Sequence, residues 1–167
     1  MRFDDFVREN KVPVTPVDQF TGLVVEVGAA SDWEPFDSAP GFRAWLGPSD
    51  SRSETFCANA VLTMHTVHSA LNADDAFSML SEQQASTVPA CREVHREVAV
   101  STEGAGIVGR LVLEIAHQLG TIESVSTSRI IVTEQQTQIA QLTVTTLGAS
   151  PADKSGIWLT VRTHGDR

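Results

Sequence analysis

The sequence is short of the features that announce most chemistries. Two cysteines, Cys57 and Cys91, occur in 167 residues, and they do not have C-x-x-C spacing. Cysteine is habitually buried, so both are expected as reduced thiols in or near the core. A disulfide between them stays open only for an exported protein. Basic side chains are scarce: 12 Lys and Arg stand against 21 Asp and Glu, for a net charge of −9. Without a basic stripe the chain has little to offer a phosphate backbone, and nucleic acid is not an expected partner. An acidic surface is also repelled by anionic lipid headgroups, which argues against peripheral membrane binding through charge. No apolar run approaches the roughly 20 residues that a membrane-spanning helix needs, so no transmembrane segment is expected. The opening Met1-Arg2-Phe3-Asp4-Asp5 lacks the apolar stretch of a secretory signal. The chain as it stands is therefore predicted to be cytoplasmic, with the cell envelope as the location if a leader has been trimmed away.

Catalytic and cofactor signatures are equally sparse. No G-x-S-x-G elbow is present and there is no Walker loop. Gly104, Gly106 and Gly109 do not have the dinucleotide-binding spacing, and they precede a predicted strand instead of opening a helix after one. They read as a hairpin turn. His65 and His68 sit three apart, which puts them on opposite faces of a strand, so they do not read as a metal pair. Glu114 and His117 are likewise opposed on a strand and do not read as an acid–base pair. Cys57, Cys91, His95 and His117 form no ligand signature. No catalytic residue, metal ligand or cofactor is assigned.

What the chain does have is β-periodicity. The core of the reading is Ala90 to Leu147, where four apolar runs alternate with polar positions. Val94, Val98 and Val100 fall on one parity, and so do Leu111, Leu113 and Ile115, then Ile130 and Val132, then Leu142, Val144 and Thr146. Period two with abundant Val, Ile and Thr is the pattern of strands with one buried face. Short gaps at Glu103 to Gly106, at Gly120 and at Glu134 to Gln138 suit tight connections, so an antiparallel meander is expected. The run Ile107 to Leu119 also carries apolar residues at helical spacing. Its Gly109 and β-branched residues favour a strand, and both assignments stay open at this level.

Elsewhere, Phe3, Phe6 and Val7 share one face of a short N-terminal helix over Arg2 to Asn10, with Asp4 and Asp5 suited to the dipole of its first turn. Pro13 and Pro16 force an extended arm after it. Leu23 to Val27 reads as a strand, with Val25 and Val27 on one face. Gly28 to Gly41 reads as a loop bearing Trp33 and Phe36, Phe42 to Leu46 as a strand, and residues 49–54 as a charged turn. Ala58 to His68 is the best candidate for a central strand, with Leu62 and Met64 facing one way and Val61 and Val67 the other. Asn72 is the expected N-cap of a helix whose inward stripe is Ala76, Phe77, Leu80 and Gln84. After a turn around residues 150–156, Ile157 to Thr163 reads as a last strand. Residues 164–167 are expected to fray. The whole is predicted to be one α+β domain, an antiparallel β-sheet with packed helices.

The one constellation with a functional reading is aromatic and apolar. Phe42, Trp45, Phe77, Leu80 and Trp158 are the candidate lining of an apolar groove between helix and sheet. The competing reading, ordinary core, is the commoner fate of large aromatics.

The segment Phe3-Asp4-Asp5-Phe6-Val7-Arg8-Glu9-Asn10, a short apolar link and Thr15-Pro16 resemble the start of the LpqN/LpqT family of actinobacterial, mainly mycobacterial, proteins. The order then continues to match: a Trp-bearing loop, a strand, a helix containing Phe77 to Leu80, a glycine-marked hairpin and Ser128-Arg129-Ile130-Ile131-Val132. The resemblance covers most of the chain to about Gly148 and is carried by pattern more than by identity. It implies a Mog1/PsbP-like sandwich and a non-enzymatic role in binding envelope lipids. The sequence departs from the family in having no signal peptide or lipid-attachment cysteine near its start, and in ending on a strand where the family closes with a helix.

Three functional expectations follow. One is a non-enzymatic module for an apolar or lipid-like ligand related to the actinobacterial cell envelope. The alternative is a cytoplasmic protein–protein interaction module on the same fold, with a homodimer among its forms and an unpaired edge strand, such as one near Trp158, as its contact surface. A hydrolase with an unrecognised site is the third and least supported reading.

Overall fold

A computed structural model describes residues 1–48, 56–118, 120–147 and 156–163. The charged turn at 49–54, the turn around 150–156 (Gly156 apart) and the tail at 164–167 lie outside the described residues. Twelve elements follow one another: α1 (Phe3–Glu9), β1 (Val14–Pro16), β2 (Leu23–Ala29), β3 (Glu34–Ala39), β4 (Phe42–Leu46), β5 (Asn59–Val67), α2 (Ala73–Thr87), β6 (Cys91–Val100), β7 (Ile107–His117), β8 (Gly120–Val132), β9 (Thr137–Leu147) and β10 (Ile157–Thr163). The fold is α+β, with every strand pair antiparallel.

Among the described residues the main sheet has eight strands, in the order β3-β4-β5-β9-β8-β7-β6, with β1 pairing the far end of β5. Its right half is the expected meander. The ambiguous run is strand β7, paired with β8 from Ile107↔Ile130 to His117↔Gly120. Leu111 and Leu113 are 1% exposed, a burial worth roughly 1.5–3 kcal/mol for each side chain. The hairpin at Gly104 and Gly106 turns with φ of +77° and +84°, the region glycine enters without steric cost.

A second, two-stranded ribbon pairs β10 with β2, from Ile157↔Ala29 to Thr163↔Leu23. It lies on one face of the main sheet and the two helices lie on the other, giving two cores. On the ribbon side Trp45, Leu62, Met64, Val112, Val125, Leu142 and Val144 pack with Ile157 and Val161, and with the inward Val25, Val27 and Leu159. On the helix side Phe3, Val67, Ala76, Phe77, Ile130 and Ile139 pack together. The expected division of the β5 side chains between two covered faces is what occurs.

Helix α2 is capped as its sequence predicts: the Asn72 Oδ1 accepts a hydrogen bond from the Asp75 N–H at 3.0 Å, and Asp74 and Asp75 stand in the first turn. Such a cap is worth about 1 kcal/mol.

Two expectations need correction. Gly28 to Gly41 is not one loop, because it contains β3. All six β3 residues are exposed, so no burial alternation marks the strand, and Pro35 with a register shift between Pro35 and Asp37 suits a sheet edge. Nor do Val94, Val98 and Val100 form a buried face. They are 47, 42 and 80% exposed, because β6 is the other edge of the sheet and Val94 falls in a register shift between Glu93 and His95.

Candidate functional site

On the helix side the sheet offers α2 a tight seat. A Cβ on Gly109 would come within 2.2 Å of the Phe77 ring, so the ring occupies the space a larger residue would need. Phe77 is buried and Leu80 half-buried. One turn further on, the interface becomes polar and hydrogen-bonded. The Gln84 Nε2 donates to Ser126 Oγ at 2.5 Å, Gln141 Nε2 donates to Ser128 Oγ at 3.0 Å, and the hydroxyls of Ser126 and Thr143 lie 2.9 Å apart. Buried polar groups satisfied in this way specify a fixed packing. The helix–sheet junction is occupied core.

An opening with an apolar floor lies on the other face, where the ribbon meets the sheet. A cleft of about 550 Å³ runs between β2, the arm before it, the β3–β4 turn and the floor of β5. Its apolar lining is Val17, Val25, Phe42, Leu62 and Met64, and its rim carries Asp18, Ser38 and Arg43. Backbone chemistry fixes the walls. Asp18 Oδ1 accepts from the Gly41 N–H at 2.9 Å. The Val17 N–H donates to the Met64 carbonyl at 3.1 Å, and the Met64 N–H donates to the Gly41 carbonyl at 2.9 Å. Gly41 has φ of +71°, and a Cβ there would lie 2.7 Å from both the Met64 carbonyl oxygen and Pro16 Cβ, so the close approach of turn to strand requires glycine. The Arg43 guanidinium lies 4.9 Å from the centroid of the Trp45 ring, a cation–π geometry. A neighbouring cavity of about 440 Å³ shares Ser38 and Arg43 with the cleft and adds Phe36, Asp37 and Trp45.

The five residues singled out from the sequence do not line one groove. Phe42 lines the cleft, and Trp45 is buried in the ribbon-side core and borders the neighbouring cavity. Phe77 and Leu80 belong to the opposite face. Trp158 is 55% exposed on the outer side of the ribbon, against Gly28, whose added Cβ would come within 2.3 Å of the indole. The loop aromatics also part: Trp33 is core, whereas Phe36 is 67% exposed. Sequence reasoning missed Val17, Asp18, Arg43 and Val25 as site residues. The alternation that puts Leu62 and Met64 on one face was the only signal pointing this way, and it does not say which element lies across from them.

The titratable side chains that drew attention are engaged elsewhere. Glu114 pairs with Arg92 at 2.5 Å. His68 Nε2 lies 2.8 Å from Thr15 Oγ1. Partial burial pushes the His65 imidazole below its ordinary value, opposed by the nearby Asp4 carboxylate. Cys57 and Cys91 are both free and half-buried.

This sandwich has a solved counterpart. The crystal structure of LpqN, described as involved in cell envelope biogenesis of Mycobacterium tuberculosis, superposes with a TM-score of 0.75 over 97% of this chain and 98% of that one, at 13% sequence identity. The fold is LpqN-like. At this identity the likeness shows architecture alone, and it agrees with the α+β sheet-and-helix arrangement described above. A structure from Bacteroides thetaiotaomicron gives a TM-score of 0.43, with 15% identity over 86% of this chain and 47% of that one, too loose a match to argue from. No protein-family model matches the sequence, and no curated protein does.

Proposed function

We propose that the protein is a non-catalytic binding module that takes an apolar or lipid-like ligand in the cleft between the β2–β10 ribbon and the main sheet. The observation that carries this reading is the cleft itself: an apolar floor of Val25, Leu62 and Met64 beneath a polar rim of Asp18, Ser38 and Arg43. Ligand sites are characteristically concave and apolar with a few placed polar groups. A ligand with an apolar body and a polar end fits that division, the body on the floor and the end at the rim. The LpqN-like fold supports a role in envelope biogenesis, since the neighbour is described in those terms. This moves the site from the helix side, where the sequence placed it, to the ribbon side.

Compartment is part of the proposal. An envelope location goes with a lipid-like ligand and a cytoplasmic location with a protein partner; fractionation of host cells distinguishes them. The site is tested with a fluorescent fatty-acid probe. Wild-type protein is expected to bind it, and Ser38→Trp, which fills the cleft from an exposed position on its rim, is expected to weaken binding about ten-fold (1.4 kcal/mol) while the melting temperature holds. Absence of probe binding by the wild type, together with no lipid in an organic extract of protein purified from its host, would refute the reading.

A further inference from the structure

The two edges of the main sheet are built differently. Edge β3 is short, carries Pro35 and is irregular, all devices that discourage further pairing. Edge β6 is ten residues long, and every residue after Cys91 is exposed. Among the described residues it has β7 on one side and no strand on the other. It presents Val94, Val98 and Val100 to solvent and has no proline.

Its charges are arranged as a palindrome. Arg92-Glu93 is followed, after Val94-His95, by Arg96-Glu97. Laid antiparallel on a second copy, with a two-fold axis between Val94 and His95, Arg92 meets Glu97 of the second copy and Glu93 meets Arg96 of the second copy. A regular strand does not permit this register, because residues five apart face opposite sides of a sheet. The bulge removes the obstacle. With Val94 as the extra residue, Arg92 stands opposite Glu114 and Glu97 opposite Arg110, which puts both on one face. Glu93 stands opposite Leu113 and Arg96 opposite Leu111, which puts both on the other. Each charge therefore shares a face with the charge it would meet. Bulges are a common device for blunting edges; here the bulge also makes the edge complementary to itself.

We propose that two copies of this chain associate through β6, antiparallel and about a two-fold axis at Val94–His95, extending the sheet across the interface. Such an isologous contact makes each ion pair twice. The in-chain pairs it would rearrange, Arg92–Glu114 at 2.5 Å, Arg96–Glu93 at 2.5 Å and His95–Glu97 at 3.2 Å, lie at the surface, where such pairs hold little energy. The register also sets Val98 opposite Cys91 of the second copy.

Sedimentation velocity tests the association. The wild type is expected to be dimeric at tens of micromolar. Glu97→Arg sets like charges opposite Arg92 twice and is expected to raise the dissociation constant at least about ten-fold. The double variant Arg92→Glu with Glu97→Arg restores the complement and is expected to restore the dimer. Val98→Cys is expected to be linked to Cys91 of the second copy by a short bismaleimide. Val98 is exposed and Cys91 half-buried, so thiol titration of the wild type first checks that Cys91 reacts, and circular dichroism checks that each variant is folded. A wild type that is monomeric to about 100 μM overturns the proposal. So does a dimer indifferent to Glu97→Arg, or one that resists cross-linking at Val98→Cys.

Discussion

Two side chains show what burial does to a charged or titratable group. Arg129 is 5% exposed and spends its guanidinium on backbone: Nη1 donates to the Val161 carbonyl at 3.2 Å, and Nη2 donates to the carbonyls of Glu103 at 2.8 Å and Ala105 at 2.9 Å. One residue thereby ties β8 to the β6–β7 hairpin and to β10. Burial lowers its pKa, but a guanidinium stays protonated in proteins. Arg129→Met keeps much of the volume and abandons the three carbonyls, so chemical denaturation is expected to show a loss of about 3 kcal/mol. A loss below about 1 kcal/mol would mean that water replaces the guanidinium. His65 makes the opposite bargain. Its folded-state pKa lies below the ordinary 6.5 because burial disfavours the imidazolium. As pH falls through 6.5 the unfolded chain takes up a proton before the folded one does. The stability His65 contributes is thus complete above that value and is lost on the way down to the folded-state pKa. Urea unfolding at about pH 7.5 and about pH 5.5 is expected to show a larger acid loss for wild type than for His65→Gln. Equal losses would assign the acid sensitivity to other groups.

At the scale of elements, the seating of α2 on β7 depends on one missing side chain. With the Phe77 ring 2.2 Å from the position of an added Cβ, Gly109→Ala is expected to overpack the contact and cost about 1–3 kcal/mol. Adding Phe77→Leu is expected to recover part of that cost, as thermal denaturation of the single and double variants would reveal; strictly additive effects would mean that the two positions do not touch. The same elements show what a sequence discloses. β5, β9 and β10 were legible because each is covered on its apolar face, so period two in the sequence is period two in burial. The cap of α2 was legible because it is local, written in Asn72 and the two aspartates after it. The valines of β6 misled because alternation reports which side chains share a face, not whether anything lies over that face. β3 stayed hidden because a wholly exposed strand has no burial pattern to show. The cleft was beyond reach for a related reason: Val17, Val25, Arg43 and Leu62 come from separate segments whose meeting depends on the ribbon crossing the sheet.

At the scale of the molecule, the LpqN-like architecture sets one eight-stranded sheet between two unequal covers. The helical cover is continuous with its core and hydrogen-bonded through Gln84. The ribbon cover leaves an opening along the β4–β5 side, which is why ligand binding is proposed there. Net charge of −9 keeps such a molecule soluble and makes mixed-charge patches, such as the one on β6, the places where copies approach without repulsion. The ribbon has one more consequence, and it concerns time. Leu23 is paired with Thr163, so β2 has no partner until β10, the last of the described strands, has been made. Until then the face bearing Leu62, Leu142 and Val144 has no lid, while the helix side can already close. Between the completion of β9 and that of β10, the chain is thus a sandwich with one apolar face uncovered. A chain cut before residue 157 is expected to leave that surface uncovered and to aggregate where the full chain does not.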